Sequence, residues 1–299
     1  ISDIIFIKNE SAVNMFKCCF PSDKNSAKSN PIVSSSATET KALSFLLNEK
    51  EVPVTSFLSS ELVERALRSN QFQQWVQAMN RSINQSKEGL EVRSVEIQSV
   101  DMFGPHRVGF IKMKADSFLG EKFIPGICFL RGMTVGMLLG LKCTDNGEMY
   151  SILVDQPRIP VGELSMLEIP AGMIDDAGNF AGAAAKELKE ECDIEVNESD
   201  LIDLTQLAYG NNFPGMCPSC GGCDEYIKLM YHEIDVTKET LKSMQGKLTG
   251  VMEEGELITL KVVKFDDIWQ ETCDAKALCA LALFGELKRR GKLSQGKSS

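Results

Sequence analysis

The sequence predicts an α/β fold, a sandwich in which helices pack on both faces of a mixed sheet, with a smaller N-terminal helix and antiparallel sheet before it. Apolar residues recur at helical spacing in residues 59–79 and 275–287. Several short segments between them alternate apolar and polar residues and are separated by Gly, Pro and Asn turns. With 299 residues and 43% apolar content, the chain can bury one large core or two modest ones.

The N-terminal part begins with a helix predicted over residues 59–79, which Ser59 or Ser60 can cap. Three alternating segments follow, at residues 90–95, 107–114 and 122–127. The pairs Gly104-Pro105 and Pro125-Gly126 interrupt them, as expected for turns. These segments predict antiparallel strands of a small separate sheet.

Stronger strands are predicted next, at residues 134–143 and 150–156, joined by a hairpin turn at Asp145-Asn146-Gly147. A helix over the Ala-rich segment that ends near residue 192 comes after them. Further strands are predicted at 204–208, 225–232 and 257–265, and an apolar helix at 275–287 precedes a basic tail.

Residues 1–45 differ from the rest of the chain and are expected to be disordered. Six serines lie between Ser22 and Ser36, and Asp23 is the only acidic residue from Ser11 to Thr38. A Ser-rich, acid-poor composition with scattered lysines is typical of an organelle transit peptide, and an ordinary disordered tail is the alternative. Because the segment lacks Arg, a chloroplast (plastid) is the expected destination, with the cytoplasm as the alternative.

Charge and hydrophobicity exclude two classes of partner. The formal net charge is −10, whereas nucleic-acid-binding surfaces are basic. No run of 18 apolar residues predicts a membrane span. A small nucleotide held through metal ions remains compatible with an acidic protein.

The ten cysteines are scattered and predict a reducing compartment rather than a disulfide framework. Three of them form a cluster, Cys217, Cys220 and Cys223. Two C-x-x-C steps can bind zinc, but structural zinc takes four ligands and no fourth is evident. A loop with free, oxidation-sensitive thiols is the other interpretation.

Three glutamates at the end of the Ala-rich helix carry the clearest chemical signal. Glu187, Glu190 and Glu191 stand at i, i+3 and i+4, so their carboxylates share one helix face. Mg²⁺ prefers oxygen ligands and is usually completed by substrate phosphates, which predicts a metal site for a phosphorylated substrate. A solvated Glu-rich face supported by neighbouring lysines is the structural alternative.

The same segment resembles the Nudix box, G-x5-E-x7-R-E-U-x-E-E-x-G-U, in which U is aliphatic. The matching positions, in register without a gap, are Gly172, Glu187, Leu188, Glu190, Glu191 and Ile194. The departures are Gly178 for the first Glu, Lys186 for Arg and Asp193 for the final Gly. Since that Glu and Arg are thought to pair in the family, their joint replacement leaves no charge unpaired. An Asp at position 193 tolerates a left-handed backbone better than most residues.

Over roughly residues 85–290 the chain resembles the Nudix branch of ADP-sugar and ADP-ribose diphosphatases. The matching segments are residues 156–158 (QPR), 168–172 (EIPAG), 213–215 (FPG), 221–225 (GGCDE), 250–258 (GVMEEGELI) and 274–278 (DAKAL). Residues 108–110 (VGF), 131–132 (RG) and the Cys-containing loop resemble plant chloroplast ADP-sugar diphosphatases. The resemblance implies a dimerisation unit at 46–127, a Nudix hydrolase domain at 128–290, a tail at 291–299, and a homodimer.

The resemblance also implies which residues act. Mg²⁺, which Mn²⁺ can replace, would be held by the Ala171 carbonyl and by Glu187, Glu190, Glu191 and Glu256. Glu254 would be the general base, with Glu253 as the alternative, although this acidic loop could also be a solvated turn. The residues that would contact the substrate are Arg158, Glu168, Pro214 and Gly215. Gly172, Lys186 and Ile194 are the remaining residues at motif positions. Lone arginines are mostly exposed, so a surface position is the alternative for Arg158.

The predicted reaction is Mg²⁺-dependent hydrolysis of the diphosphate bond of ADP-glucose or ADP-ribose to AMP and a sugar phosphate. Bound divalent ions neutralise the diphosphate and lower the pKa of an attacking water. A UDP-sugar or dinucleotide diphosphatase is a second possibility, since the motifs do not locate the residues that select the base. A nucleotide sensor without turnover is a third, motivated by Gly178, Lys186 and Asp193.

Overall fold

The computed structural model describes residues 43–174, 179–250 and 257–293. These residues form two β-sheets with helices packed against them. The α/β class predicted from the sequence is confirmed, including the smaller sheet that precedes the larger one.

The first sheet lies within residues 43–130, where the described strands number six. They are β1 (Leu43–Leu47), β2 (Lys50–Ser56), β3 (Leu90–Phe103), β4 (Arg107–Leu119), β5 (Lys122–Ile124) and β6 (Ile127–Leu130). The order is β1-β2-β3-β4-β5, and β6 also pairs with β4. All neighbours are antiparallel except β2 and β3, which are parallel.

Two helices cover this sheet, where the sequence predicted one. Helix α1 (Ser60–Arg68) is capped by the Ser59 side chain, as expected, and α2 (Asn70–Gln85) is capped by the side chain of Ser69. The single helix predicted over 59–79 was wrong because Ser69 adopts an extended backbone and its hydroxyl accepts from the Phe72 N–H. A serine that satisfies an orphan N–H of the following turn starts a new helix.

The apolar face of α1 and α2 packs on the first sheet and forms its own core. Val63, Ala66 and Phe72 from the helices are buried with Val95 and Ile111 from the central strands. A separate core of this kind allows the sheet to stand beside the larger one as a layer of its own.

The second sheet is mixed. Among the described residues its strands are β7 (Thr134–Cys143), β8 (Met149–Arg158), β9 (Glu163–Glu168), β10 (Ala171–Met173), β11 (Ile202–Asp203), β12 (Ile227–Val236), β13 (Leu248–Thr249) and β14 (Ile258–Lys264). Strand β7 is parallel to β12 and antiparallel to β8 and β10. The hairpin predicted at Asp145-Asn146-Gly147 joins β7 to β8, and Gly147 adopts φ 73° there.

Helices cover both faces of this sheet. They are α3 (Phe180–Cys192), α4 (Leu204–Tyr209), α5 (Lys238–Met244), α6 (Ile268–Glu271) and α7 (Ala275–Arg289). Val135 and Met137 of β7 pack with Leu188 of α3, whereas Leu138 packs in a second cluster with Ala277 of α7. Because successive strand residues point to opposite faces, the nearly continuous apolar sequence of β7 fills both cores.

One predicted strand is a helix. Residues 204–208 belong to α4, whose first turn is capped by the Asp203 side chain accepting from the Gln206 N–H at 2.8 Å. Apolar residues in a short segment are compatible with either a strand or one buried helical turn. Here the cap formed by the Asp203 side chain favours the helix. The elements that were not predicted are strands β1, β2, β6, β9, β10, β11 and β13 and helices α5 and α6.

The described strands extend across two of the segment boundaries expected from the sequence, those after residues 45 and 127. Strand β1 begins at Leu43, so the last residues of the segment expected to be disordered are extended and paired with β2. Strand β6 begins at Ile127 and belongs to the first sheet through β4, so that sheet continues past the boundary expected after residue 127. No described helix is long and apolar enough to cross a membrane.

Candidate active site

Helix α3 places Glu187 and Glu191, two of the three glutamates, against strand β10 of the second sheet. It begins where the Asn179 side chain accepts from the Gly182 N–H at 3.1 Å. It ends at Asp193, whose left-handed backbone (φ 58°) returns its N–H to the Lys189 carbonyl. The aliphatic Leu188 and Ile194 of the motif are buried in the core, which fixes the rotation of the helix about its axis.

Glu187 rests directly on Gly172. A Cβ added at Gly172 would lie 1.7 Å from Glu187 Oε1 and 1.9 Å from its carboxyl carbon. No other residue type leaves room for the carboxylate at this place. The absence of a side chain in β10 is therefore what allows α3 to bring Glu187 against the backbone of residues 171–173.

Glu191 is buried, with 5% of its surface exposed, and one of its oxygens accepts from the Ala171 N–H at 3.0 Å. The Thr249 hydroxyl donates to the Glu191 carbonyl, and the Gly250 N–H donates to the Glu190 carbonyl at 3.2 Å. These contacts join the end of α3 to β10 on one side and to the end of β13 on the other.

Glu190 is oriented differently from its two neighbours. Its carboxylate lies 3.5 Å from the Lys186 Nζ, one turn earlier on the exposed side of α3. Lys186, which stands where the family motif has Arg, thus pairs within its own helix. In the part of the chain that the structure describes, no three His, Cys, Asp or Glu side chains are grouped closely enough to hold a metal ion.

A second group of charges surrounds Glu168. Arg158 donates from Nε and Nη2 to its two oxygens, and the Lys276 ammonium donates to Glu168 Oε2. Lys276 also lies 3.1 Å from Asp274, the residue that caps α7. Glu168 is 6% exposed, so its charge is balanced almost entirely by these two cations.

These contacts set the protonation of the group. Burial alone would raise the pKa of Glu168, but the hydrogen bonds and charges of Arg158 and Lys276 outweigh it and leave that pKa lowered. Burial opposes the charge on Arg158, yet Glu168 leaves the pKa of the guanidinium raised. Both residues are therefore ionised at neutral pH.

The loop after the motif holds the first sheet to the second. Asp224 accepts from the backbone N–H groups of Arg131 and Gly132. Glu225 accepts from the Thr134 hydroxyl at 2.8 Å and lies 3.4 Å from the buried Arg131 Nε, which has no hydrogen bond of good geometry. Arg131 and Thr134 flank the point where the chain passes from the first sheet into β7.

Pro214 and Gly215 precede Met216, which pairs with Ile227, the first residue of β12. Met216 exchanges two backbone hydrogen bonds with Ile227, and a Cβ at Gly215 would meet the Ile227 carbonyl at 2.6 Å. Among the described residues, no hydrogen bond or ion pair joins this turn to Arg158 or Glu168.

The cysteine loop contains free thiols. Cys217, Cys220 and Cys223 are not joined by a disulfide, and they do not form a metal-binding group among the described residues. Cys128 of β6 lies near Cys223, and burial, Asp224 and Cys223 together raise its pKa to about 11. That thiol is therefore protonated at neutral pH, which makes it a weak nucleophile.

Of the eleven predicted site residues that the structure describes, six fall into two groups. Ala171, Gly172, Glu187 and Glu191 form one group, and Arg158 and Glu168 form another. Glu253, Glu254 and Glu256, like Gly178, lie outside the described residues. Lys276 was not predicted as a site residue, although it lies within the DAKAL segment that carries part of the resemblance.

The first group fits a divalent cation. Carboxylate and carbonyl oxygens are the donors that Mg²⁺ takes, and Gly172 holds a glutamate in the space that a side chain would otherwise fill. Glu187, Glu191 and the Ala171 carbonyl would hold the ion. Bound there, Mg²⁺ would supply positive charge to a diphosphate and acidify a water molecule.

Comparison with known proteins gives the family. A sequence model of the NUDIX domain matches residues 139–281. Nudix hydrolase 14, chloroplastic, of Arabidopsis thaliana is 38% identical over 267 residues, which cover 87% of this chain and 85% of that protein. ADP-ribose pyrophosphatase of Haemophilus influenzae is 27% identical over 212 residues, 67% of this chain and 89% of that protein.

A solved structure titled as an ADP compounds hydrolase aligns with 68% of this chain and 98% of its own, at 17% identity and a TM-score of 0.41. The Arabidopsis relative matches this chain along most of the length of both proteins. The chain belongs to the Nudix hydrolase family.

Proposed function

We propose that this Nudix hydrolase cleaves the diphosphate bond of ADP-sugars such as ADP-glucose and ADP-ribose, with Mg²⁺, to AMP and a sugar phosphate. The observation that carries the proposal is the contact of Glu187 with Gly172, next to the hydrogen bond between Glu191 and Ala171. The name of the Haemophilus influenzae relative supports ADP-ribose as a member of the substrate class.

The glutamates hold their positions before substrate arrives. Glu191 is buried and accepts a hydrogen bond from the Ala171 N–H, so the backbone of β10 positions its carboxylate. A carboxylate fixed in this way loses little conformational entropy when it engages an ion. Glu190, turned toward Lys186, would contribute less than Glu187 and Glu191.

Arg158 binds the substrate's phosphates in this proposal. Its Nε and Nη2 donate to Glu168, while Nη1 makes no hydrogen bond to another described residue. That group is thus left for a phosphate oxygen, and the raised pKa keeps the guanidinium charged. Glu168 acts as a positioning residue, since its oxygens are already engaged by Arg158 and Lys276.

Glu254, with Glu253 as the alternative, would remove the proton from the attacking water. Both lie outside the described residues, and so does Glu256, proposed as a further ligand. Gly250, the last described residue before them, donates to the Glu190 carbonyl. The chain therefore approaches the acidic segment beside the C-terminal end of α3, which supports a role for that segment at the same site.

One assay tests the reaction. The purified chain is incubated with Mg²⁺ and ADP-glucose, ADP-ribose, UDP-glucose or NADH, and the products are resolved by chromatography. AMP released from the ADP-sugars is expected. Preferential cleavage of UDP-glucose or NADH would replace the proposed substrate class, and binding of nucleotide without any product would indicate a sensor.

Glu191→Gln tests the site. Loss of the charge should lower kcat for ADP-ribose by about a hundredfold or more, because stabilisation of transition-state charge would be lost. Glu195→Gln, which removes a glutamate whose side chain is 78% exposed just beyond α3, is the matched control and should retain activity. A near-normal rate in Glu191→Gln would remove the site assignment.

A homodimer in a plastid completes the proposal. The first sheet and the turn after β2 expose Phe57, Phe123 and Ile127, apolar side chains that a second copy could cover. Light scattering is expected to give twice the 33.0 kDa chain mass.

The Arabidopsis relative is named as chloroplastic, and a fluorescent fusion of the chain should enter plastids only when residues 1–45 are present.

A further inference from the structure

A cavity of about 470 Å³ lies between the N-terminal helices and the strand that carries Gly172. Its walls come from α1, α2 and β4 on one side and from Arg131, Met133, Met173 and Ile174 on the other. The volume falls within the range of small-molecule sites. The Nudix glutamates do not line it, so the proposed reaction does not account for it.

The cavity is strongly basic although the chain carries a formal charge of −10. Arg65, Arg68, Arg107 and Arg131 all line it, and none of the lining residues that the structure describes is Asp or Glu. Glu64 lies 3.1 Å from Arg68, and Glu225 lies near Arg131, so two of the four cations have acidic partners behind the wall. The other two are not neutralised by a described carboxylate.

Arg65 and Arg107 each have N–H groups that donate to no other described residue. Arg65 uses Nη2 to donate to the Pro105 carbonyl at 2.7 Å, which fixes the side chain at the cavity and leaves its other N–H groups. Arg107 lies over the Phe103 ring at 6.0 Å and makes no hydrogen bond from its side chain to another described residue. Planar guanidinium groups with unused donors are well suited to a phosphate.

The remaining lining combines amide and apolar side chains. Gln71 is buried and donates to the carbonyls of Val108 and Gly109, so this wall is rigid. Gln74 supplies further polar groups, and Val108, Met133 and Met173 supply apolar surface. Such a lining suits a small hydroxylated ligand that carries one phosphate.

The cavity stands apart from the glutamates. Gly172 faces Glu187, and Met173 follows it in the extended strand β10, so the Met173 side chain projects to the opposite face. A ligand touching Met173 and Ile174 would therefore lie behind the strand against which Glu187 rests.

We propose that this cavity is a second anion site, which binds a phosphate dianion, either free or as the monoester of a small sugar. Arg65 and Arg107 hold the phosphate, and the amide groups of α2 face the rest of the ligand. This inference does not depend on the hydrolytic reaction.

The test measures binding to the full chain by calorimetry, in EDTA and without divalent metal, so that no turnover occurs. The probes are inorganic phosphate, glucose 1-phosphate and glucose. Both phosphate compounds should bind and glucose should not, and affinity should fall as ionic strength rises. Tighter binding of glucose 1-phosphate identifies a sugar monoester as the ligand, and equal binding identifies free phosphate.

Variants locate the site. Arg65→Gln and Arg107→Gln should each weaken phosphate binding about tenfold, since each removes charged hydrogen-bond donors. Arg81→Gln, on the exposed surface of α2 and outside the cavity, is the matched control. Arg158→Gln should leave binding unchanged, because Arg158 does not line the cavity, and circular dichroism checks that each variant is folded.

Three results would overturn the proposal. They are absence of binding by both phosphate compounds, equal weakening by Arg81→Gln, and loss of binding in Arg158→Gln. The last would assign the bound phosphate to the candidate active site instead. Failure of the hydrolysis assay leaves this measurement unaffected, because binding is measured without metal.

Discussion

At the scale of single residues, Gly172 determines where Glu187 can be. The nearest atoms to a Cβ at position 172 are the carboxyl atoms of Glu187 and its Cγ. These belong to the end of a long side chain that can rotate away. A methyl group at position 172 should therefore displace the carboxylate more readily than it disrupts the strand.

We expect Gly172→Ala to lower kcat for ADP-ribose by roughly tenfold to a hundredfold, with little change in unfolding, because a displaced ligand weakens transition-state stabilisation. Steady-state kinetics and urea titration measure the two effects. Gly221→Ala is the control, since a Cβ there meets nothing within 4 Å. A Gly172→Ala variant with unchanged kcat would show that the contact has no catalytic role.

At the scale of elements, Asp193 shows how α3 ends without the glycine of the family motif. Its backbone is left-handed, and its carboxylate lies 2.6 Å from the Lys247 Nζ. The pKa of Asp193 is lowered by the hydrogen bond and the charge of Lys247. Aspartate tolerates this conformation, whereas a β-branched residue is strained in it.

Asp193→Val should therefore lower the free energy of unfolding by about 1–2 kcal/mol, the cost of a left-handed backbone for such a residue. Asp193→Gly should stay within about 1 kcal/mol of the parent chain, since glycine relieves the strain but gains freedom when unfolded. Urea denaturation compares them. Equal stability of the two variants would contradict a role for backbone conformation at this position.

At the scale of the whole molecule, the charges around Glu168 join strands β8 and β9 to the C-terminal helix α7. Glu168 and Lys276 are separated by 108 positions in sequence; Glu168 is buried, and the Lys276 side chain is 11% exposed. The pKa of Glu168 is lowered in the folded chain from an ordinary value of 4.5. Its contribution to stability is therefore complete above the unfolded-state pKa and is lost as pH falls through the lower folded-state value.

Glu168→Gln should destabilise the protein at pH 7 by about 1–3 kcal/mol, because it removes the buried charge that both Arg158 and Lys276 contact, although Lys276 keeps Asp274. Its stability should also fall less steeply than that of the parent chain below pH 4.5. Thermal unfolding at several pH values measures both. Glu271→Gln, which breaks the exposed pair with Lys261, is the control, and a parallel pH dependence of Glu168→Gln and the parent chain would contradict the assignment.

The sequence by itself determined the features that depend on local spacing. The nearly continuous apolar sequence of β7, the turn at Asp145-Asn146-Gly147 and the spacing from Gly172 to Ile194 each involve near neighbours, and all reappear in the structure. The same holds for the left-handed backbone at Asp193. Caps were harder to recognise, so the break at Ser69 and the helix after Asp203 were missed.

Only the tertiary structure decided which charges meet. The i, i+3, i+4 spacing places three glutamates on one helix face, but the fold directs Glu187 to Gly172, Glu191 to Ala171 and Glu190 to Lys186. The pairing of Glu168 with Lys276 and the arginine-lined cavity behind β10 likewise combine distant segments. Within one helix or strand, the backbone geometry sets which side chains share a face, so the sequence alone predicts it. Ion pairs and cavities depend on how separate elements pack, which only the tertiary structure shows.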